Sequence, residues 1–120
     1  MKKPTRKTWI RLMDKLVSQI VIKRDKQCVV CKSGHQLTAG HLFSRSHLAT
    51  RWHLENVNCQ CLSCNLKHVR DQYPYISWFI NKHGAQRLEE VRSEHYQITH
   101  YKTHDLENIY EGLKEIYSNL

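Results

Sequence analysis

The sequence predicts a mainly helical α+β fold organised around a zinc-stabilised core. Two Cys-x-x-Cys pairs, Cys28/Cys31 and Cys61/Cys64, frame the middle of the chain. Apolar residues recur at helical spacing before the first pair and after the second, which is typical of amphipathic helices. A chain of 120 residues has the length of one domain. We therefore expect a single domain over residues 1–120, divided into a basic N-terminal helix (1–27), the zinc core (28–71) and C-terminal helices (72–120).

The paired cysteines have the spacing of a tetrahedral Zn²⁺ site with four thiolate ligands. Four thiolates leave no coordination position for water, so this zinc would be structural. The alternatives are disulfides, free buried thiols or a redox-active pair. The N-terminal segment has no apolar secretory signal, a reducing compartment favours metal sites over disulfides, and the βαβ context of a redox pair is missing. Cys59, the fifth cysteine, is expected to be a small buried residue.

The basic charge is concentrated in the first part of the chain. The net charge is +8, and residues 1–70 carry fourteen Lys and Arg against three acidic residues, whereas residues 71–120 carry five against eight. A basic region that coincides with a zinc module indicates a phosphate-backbone contact surface. We expect DNA as the partner. No apolar run has the length of a transmembrane helix, so a soluble, cytoplasmic protein is expected.

The N-terminal segment and the zinc core have distinct patterns. A helix is predicted over residues 4–25, with a core-facing stripe from Trp9 to Ile20. Residues 28–43 should form a zinc knuckle and a short hairpin, with residues 36–43 extended and His41 at the end of a strand. Residues 44–60 are expected to be irregular. A helix should then run from residue 62 to about residue 71.

The C-terminal region is predicted to be helical. Pro74 can open a helix that Gly84 ends, and a second helix should cover residues 85–94. Residues 96–101 alternate in polarity and are expected to be extended. Thr103 is the expected N-cap of a last helix over residues 103–120. Its long apolar stripe is either core or a subunit contact, and a homodimer is the second possibility.

Three residues near the cysteines could carry phosphodiester hydrolysis, which needs a base, a divalent ion and cations that hold the backbone. His41 is the candidate base because an imidazole can be neutral near pH 7, although a lone histidine is more often a packing residue. In a treble-clef arrangement, Asn65 lies in the first turn of a helix facing His41 and could ligate Mg²⁺; otherwise it is a helix cap. Asn56 could hold the imidazole or a loop, or be a turn residue.

Taken together, these residues resemble a known family. The resemblance is carried by the strings Ala49-Thr50-Arg51-Trp52 and Gln60-Cys61-x-x-Cys64-Asn65, together with Ala39-Gly40-His41, Ser44-Arg45 and Asn56. These strings are similar to those of the phage NinG/Rap recombination proteins, and the similarity covers nearly the whole chain. That family is regarded as HNH-like, with a ββα-metal core and nuclease activity on branched recombination intermediates. The order of elements is also similar to that of the phage Holliday-junction resolvase endonuclease VII.

The resemblance implies a role for each matched residue. It makes Cys28, Cys31, Cys61 and Cys64 the ligands of structural zinc. His41 becomes the general base, and Asn56 and Asn65 take the middle and last places of the H-N-H triad, with Asn65 also binding a catalytic Mg²⁺ or Mn²⁺. The resolvase and many HNH enzymes have Asp or His directly before the base as a second metal ligand, where this chain, like other members of the NinG-like group, has glycine (Gly40). The candidate substitutes are Asp71, His47 and His68.

The sequence therefore favours a metal-dependent endonuclease for branched recombination intermediates such as Holliday junctions and forks. Arg45, Arg51, Lys67 and Arg70 flank the proposed site and are expected to contact phosphates, although Arg51 could instead pack its stem on Trp52. One alternative function is a non-catalytic zinc module that binds DNA, which the glycine at position 40 favours. Another is an HNH enzyme that nicks linear duplex DNA.

Overall fold

The computed structural model describes residues 2–120, so Met1 of the predicted N-terminal segment lies outside the described residues. Within residues 2–120 there are six helices and one two-stranded sheet. In chain order the elements are α1 (Arg6–Asp25), β1 (Leu37–His41), α2 (Leu48–Arg51), β2 (Val57–Cys61), α3 (Leu62–His68), α4 (Tyr73–His83), α5 (Ala85–His95) and α6 (Thr103–Ser118). The predicted mainly helical α+β class is confirmed. None of the helices in this part of the chain is both long and apolar enough to cross a membrane.

Helix α1 forms as its apolar stripe predicts. The hydroxyl of Thr5 caps its N-terminus by accepting a hydrogen bond from the backbone N–H of Thr8. Lys26 ends it in a left-handed conformation with φ of 67°, an αL C-terminal motif. Its buried side chains are Trp9, Met13, Leu16, Val17, Ile20 and Val21. These residues form one side of the main hydrophobic core.

The last helix, α6, supplies the other side of this core. Leu106 and Leu113 are buried in it, and Tyr110 packs against Trp9 of α1 with ring centroids 5.4 Å apart. Of the two interpretations of the apolar stripe, packing within the chain accounts for most of it, while Ile116 and Leu120 remain partly exposed. A homodimer stays a prediction.

Two details of the C-terminal region were predicted wrongly. Thr103 is the first residue of α6, and its neighbour Lys102 occupies the N-cap position. The backbone N–H of Lys102 donates to the carboxylate of Asp105 at 2.8 Å, so the acidic side chain stabilises the helix start and no hydroxyl is needed. Residues 96–101 form no strand, because an isolated alternating segment needs a partner strand to become a ladder.

The sheet pairs β1 with β2 in antiparallel register, from Leu37 opposite Cys61 to His41 opposite Val57. The prediction of an extended segment ending at His41 is confirmed. The hairpin expected within residues 28–43 is wrong, because the partner strand comes from residues 44–60, which were expected to be irregular. All five residues of β2 are buried, although Asn58 and Gln60 give it the apolar–polar alternation of a half-buried strand.

The C-terminal end of α1 holds β2 in place. The guanidinium of Arg24 donates to the carbonyl oxygen of Val57 at 3.2 Å and to the side-chain oxygen of Asn58 at 2.9 Å. The carboxylate of Asp25 accepts a hydrogen bond from the backbone N–H of Cys59 at 2.9 Å. These contacts satisfy polar groups on a fully buried strand, which would otherwise be costly to desolvate.

Helices α4 and α5 form a smaller second core with Val29, which lies between Cys28 and Cys31, and with Leu42, which follows β1. Its other buried residues are Tyr75, Phe79, Leu88 and Val91. Pro74 lies in the first turn of α4, and Gly84 ends that helix with φ of 90°, as predicted. Helix α3 ends at His68, three residues before the predicted end, and has no fully buried residue. It lies between the cysteine cluster and a cleft described below.

Candidate active site

The four paired cysteines converge on one point. The sulfur atoms of Cys28, Cys31, Cys61 and Cys64 all lie within 4.8 Å of one another, and the Sγ atoms of Cys31 and Cys61 are 3.6 Å apart. Tetrahedral Zn²⁺ with Zn–S bonds of about 2.3 Å requires sulfur–sulfur distances of about 3.8 Å. The donor set and its spacing therefore fit zinc, as predicted. Cys59 is fully buried and lies outside this cluster.

Backbone N–H groups support the cysteine sulfurs. The N–H of Cys31 lies 3.5 Å from the Sγ of Cys28, and the N–H of Cys64 lies 3.4 Å from the Sγ of Cys61, which also caps α3. Burial opposes ionisation of Cys28, but hydrogen bonds from the backbone of Cys31 and Cys61 lower the pKa of its thiol to about 7. The local backbone thus stabilises the Cys28 thiolate, the form that a zinc ion would require, whereas burial and the neighbouring sulfurs raise the pKa of Cys64.

His41 stands at the end of β1 with one ring nitrogen occupied. Its Nε2 lies 2.9 Å from the backbone carbonyl oxygen of Arg51 at the end of α2. A carbonyl oxygen can only accept, so Nε2 carries the hydrogen and Nδ1 keeps its lone pair. Burial lowers the pKa of His41 from its ordinary value of 6.5. The neutral ring with an unprotonated Nδ1 is the form that a general base requires.

Asn65 lies in the first turn of α3 and crosses to the sheet. Its side-chain NH₂ donates to the hydroxyl of Thr38 at 3.0 Å, and that hydroxyl donates to the carbonyl oxygen of Gln60 at 2.8 Å. The helix-cap interpretation of Asn65 is wrong, because Cys61 occupies the N-cap position and its sulfur accepts the capping hydrogen bond. The nitrogen of the amide is directed to Thr38, which leaves the amide oxygen as the available metal-binding atom.

His41 and Asn65 line the same open cleft, which has a volume of about 640 Å³. The cleft lies between α1, the sheet, the loop after β1 and the end of α3. Its other lining residues are Asp14, Val17, Ser18, Ala39, Leu42, Ser44, Arg45, Arg51, His68, Val69 and Gln72. An imidazole, an amide and basic groups thus share one concave surface.

Asn56 is fully buried and does not line this cleft. Its NH₂ group donates to the carbonyl oxygens of Phe43 and Thr50, each at 3.0 Å, and its oxygen accepts from the N–H of Phe43 at 2.8 Å. Of the roles considered from sequence, the structure therefore shows the loop contact, with no hydrogen bond to the imidazole of His41. Asn56 fixes the loop that carries the Arg51 carbonyl toward His41.

Comparison with known proteins identifies the family of this chain. The family model described as Bacteriophage Lambda NinG protein matches residues 1–119. The chain belongs to the NinG family. Searches of curated proteins and of solved structures gave no significant match.

In this NinG protein, the glycine before His41 is explained by a neighbouring side chain. A Cβ atom on Gly40 would lie 1.9 Å from the Oε1 of Gln60, far inside van der Waals contact. Gln60 is fully buried and occupies the space that a side chain at position 40 would need. A carboxylate or imidazole ligand is therefore excluded at this position unless Gln60 moves.

The three candidate substitutes for that ligand are separated by the fold. His47 is stacked on His95, with ring centroids 4.0 Å apart, and does not line the cleft. Asp71 lines a smaller neighbouring cavity, whereas His68 lines both that cavity and the cleft. Within residues 2–120, the cysteine cluster is the one group of three or more His, Cys, Asp or Glu side chains close enough to share an ion.

The predicted phosphate-binding residues divide into two groups. Arg51 donates to both carboxylate oxygens of Asp14, at 2.9 and 2.6 Å, and its guanidinium lies 5.8 Å from the centroid of the Trp52 ring. Arg51 thus makes structural contacts, as in the alternative in which it packs on Trp52, and it also lines the cleft. Arg45, Lys67 and Arg70 are exposed and, in the described part of the chain, have no carboxylate partner.

Sequence reasoning missed Asp14 and the importance of Gln60. Asp14 lines the cleft, and its Oδ1 also accepts from the indole N–H of Trp52 at 2.9 Å. Burial opposes ionisation of Asp14, but the hydrogen bonds from Arg51 and Trp52 lower the pKa of its carboxyl group. The only sequence signal was an isolated acid in the basic N-terminal helix, at the edge of its apolar stripe.

Proposed function

We propose that this NinG protein is a metal-dependent endonuclease with an HNH-like, treble-clef/ββα-metal core, acting on branched DNA. The observation that carries the proposal is that the free Nδ1 of His41 and the amide oxygen of Asn65 belong to side chains lining one cleft. The cysteine cluster joins the loop before β1, the end of β2 and the start of α3 beside that cleft, which is the role of a structural zinc.

The residues of the cleft have separate roles in hydrolysis. His41 accepts a proton from the attacking water at Nδ1, while its Nε2–H bond to the Arg51 carbonyl keeps the ring oriented. Asn65 would hold Mg²⁺ or Mn²⁺ by its amide oxygen, and such an ion supplies charge stabilisation for phosphoryl transfer when it is bound. Asn56 acts as a positioning residue, because its side chain holds the loop and does not line the cleft.

DNA is the proposed partner because exposed cations border the cleft. Arg45 lines it, and Lys67 and Arg70 extend from the end of α3 beside it. Unpaired cations at a concave surface suit phosphate oxygens. A two-fold dimer would place one cleft on each of two equivalent strands of a four-way junction. Light scattering alone and on a junction tests that arrangement.

Cleavage of a labelled four-way junction and of a matched linear duplex, with Mg²⁺ or Mn²⁺, tests the nuclease proposal. We expect junction cleavage that His41→Ala abolishes while zinc content and junction binding remain. His35→Ala is the matched control, since His35 is exposed and lies outside the cleft. Undiminished cleavage by the His41 variant would place the active site elsewhere.

A non-catalytic DNA-binding module is the second candidate, and Gly40 is the observation that favours it. The packing of Gln60 removes the usual position for a second metal-ligating side chain. Junction binding by the wild-type protein without cleavage in Mg²⁺, Mn²⁺, Co²⁺ or Ca²⁺ would support this candidate over the nuclease.

A further inference from the structure

Two buried polar atoms without a partner belong to residues that line one small cavity beside the cleft. They are the Oε1 atom of Gln60 and the Nδ1 atom of His68, neither of which has a hydrogen-bond partner. Both residues line a cavity of about 40 Å³ that also borders Asp71. Gln60 is 1% exposed. Because a buried acceptor that lacks a partner is costly to desolvate, two of them at one place point to a ligand.

Both atoms are hydrogen-bond acceptors. The Nε2 of His68 lies 2.9 Å from the backbone carbonyl oxygen of Leu42, so Nε2 carries the hydrogen and Nδ1 does not. The amide oxygen of Gln60 is an acceptor by its nature. Lys67 also lines the cavity but donates to neither atom. The missing ligand is therefore an electron-pair acceptor or a hydrogen donor.

We propose that Gln60 Oε1 and His68 Nδ1, joined by the carboxylate of Asp71, bind a divalent cation in this cavity. An imidazole nitrogen with an amide and a carboxylate oxygen is a donor set suited to Mn²⁺, Mg²⁺ or Zn²⁺. The carboxylate of Asp71 offsets the charge of Lys67 at this cavity, and a water molecule in the same place would donate one hydrogen to each acceptor, which is the alternative that the test below separates.

Gly40 belongs to the same arrangement. Since a Cβ atom at position 40 would meet Gln60 Oε1 at 1.9 Å, the glycine leaves room for the Gln60 amide to lie against the strand. Gln60 thus places its own amide oxygen close to the position that a metal-binding side chain at residue 40 would occupy. Because His68 lines both the cavity and the cleft, the cation would be adjacent to the proposed reaction site, and its use in cleavage rests on the proposed function.

Manganese binding to the zinc-loaded full chain, measured by electron paramagnetic resonance without DNA, tests the site. Gln60→Met keeps the side-chain volume and removes the oxygen. His68→Gln keeps a donor for the Leu42 carbonyl and removes Nδ1. The exposed residues Gln97 and His100 provide matched controls as Gln97→Met and His100→Gln. Asp71→Asn changes an exposed position and keeps the test valid should a buried variant fail to fold.

We expect Mn²⁺ to bind the wild-type chain with zinc retained, and at least about a tenfold loss of Mn²⁺ affinity in Gln60→Met, His68→Gln and Asp71→Asn. The two controls should bind as the wild type does. Absence of Mn²⁺ binding by the wild type, or unchanged affinity in the folded variants, would overturn the inference and leave a cavity that holds water only.

The outcome is separable from that of the nuclease proposal. Specific Mn²⁺ binding without cleavage of any junction would overturn the proposed function and leave this site standing. Cleavage that requires His41, together with Mn²⁺ affinity unaffected by these variants, would overturn the site alone.

Discussion

The imidazole of His41 and the backbone carbonyl of Arg51 are joined by a hydrogen bond of 2.9 Å. This contact links the end of β1 to the end of α2, ten residues later in the chain. Arg51 is itself held by Asp14 of α1. The ring of the proposed base is therefore oriented by three elements, and its tautomer is set by an acceptor that cannot donate.

The rate of cleavage should stay high down to a pH below the ordinary pKa of histidine. Burial lowers the pKa of His41 from 6.5, and the charge of Arg45 acts in the same direction. Since a base must be unprotonated, the acidic limb of the pH–rate profile should lie below pH 6.5. Arg45→Ala should shift that limb to higher pH, because it removes a charge that opposes protonation. Arg11→Ala, at an exposed position outside the cleft, should leave the limb in place; equal shifts in both variants would contradict this explanation.

Zinc removal should unfold the centre of the protein. Cys64→Ser takes away one of four ligands, and we expect loss of zinc together with loss of cooperative unfolding, because metal binding and folding are coupled. Metal analysis and circular dichroism measure both. Cys59→Ala is the control: Cys59 lies outside the cluster, and this variant should retain one zinc per chain. A folded, zinc-free preparation of the wild type would refute the site.

Arg51 and the exposed cations should respond differently to substitution. Arg51→Ala breaks the paired hydrogen bonds to Asp14 and should lower the free energy of unfolding by about 2 kcal/mol, the scale of hydrogen bonds to charged groups. Lys67→Ala and Arg70→Ala should leave stability unchanged and reduce the salt slope of DNA binding by about one unit each. Chemical denaturation and binding at several salt concentrations separate these effects. Loss of stability in Lys67→Ala would mean that this residue is structural.

Asn56 should be required for stability of the loop after β1. Asn56→Ala leaves the carbonyl oxygens of Phe43 and Thr50 and the N–H of Phe43 without their partner. We expect a loss of about 3 kcal/mol in the free energy of unfolding, typical of a disrupted buried hydrogen-bond network. Thermal denaturation gives the value, with Asn108→Ala at an exposed position of α6 as the control. A stability equal to that of the wild type would instead make Asn56 dispensable for the fold.

Sequence alone determined the parts of this protein that depend on local spacing. The helical stripes of α1 and α6 and the breaks at Pro74 and Gly84 follow from periodicity and backbone restriction over a few residues. The four cysteines could be paired from spacing because a Cys-x-x-Cys knuckle places two sulfurs on one side of a turn. His41 and Asn65 could be selected because they stand beside these fixed points.

The tertiary structure decided the remaining features of the fold and the site, since these depend on which side chains meet across distant segments. Strand β2 is buried along its whole length, and Arg24, Asp25 and Tyr75 supply hydrogen bonds to Asn58 and to the backbone of Cys59, so its apolar–polar alternation did not reveal that both of its faces are covered. The ion pair of Asp14 with Arg51 joins residues 37 positions apart. The reason for a glycine at position 40 is seen only in the folded chain, because the missing Cβ leaves room for the amide oxygen of Gln60. Such relationships arise from packing and charge compensation in three dimensions, which spacing along a single chain does not encode.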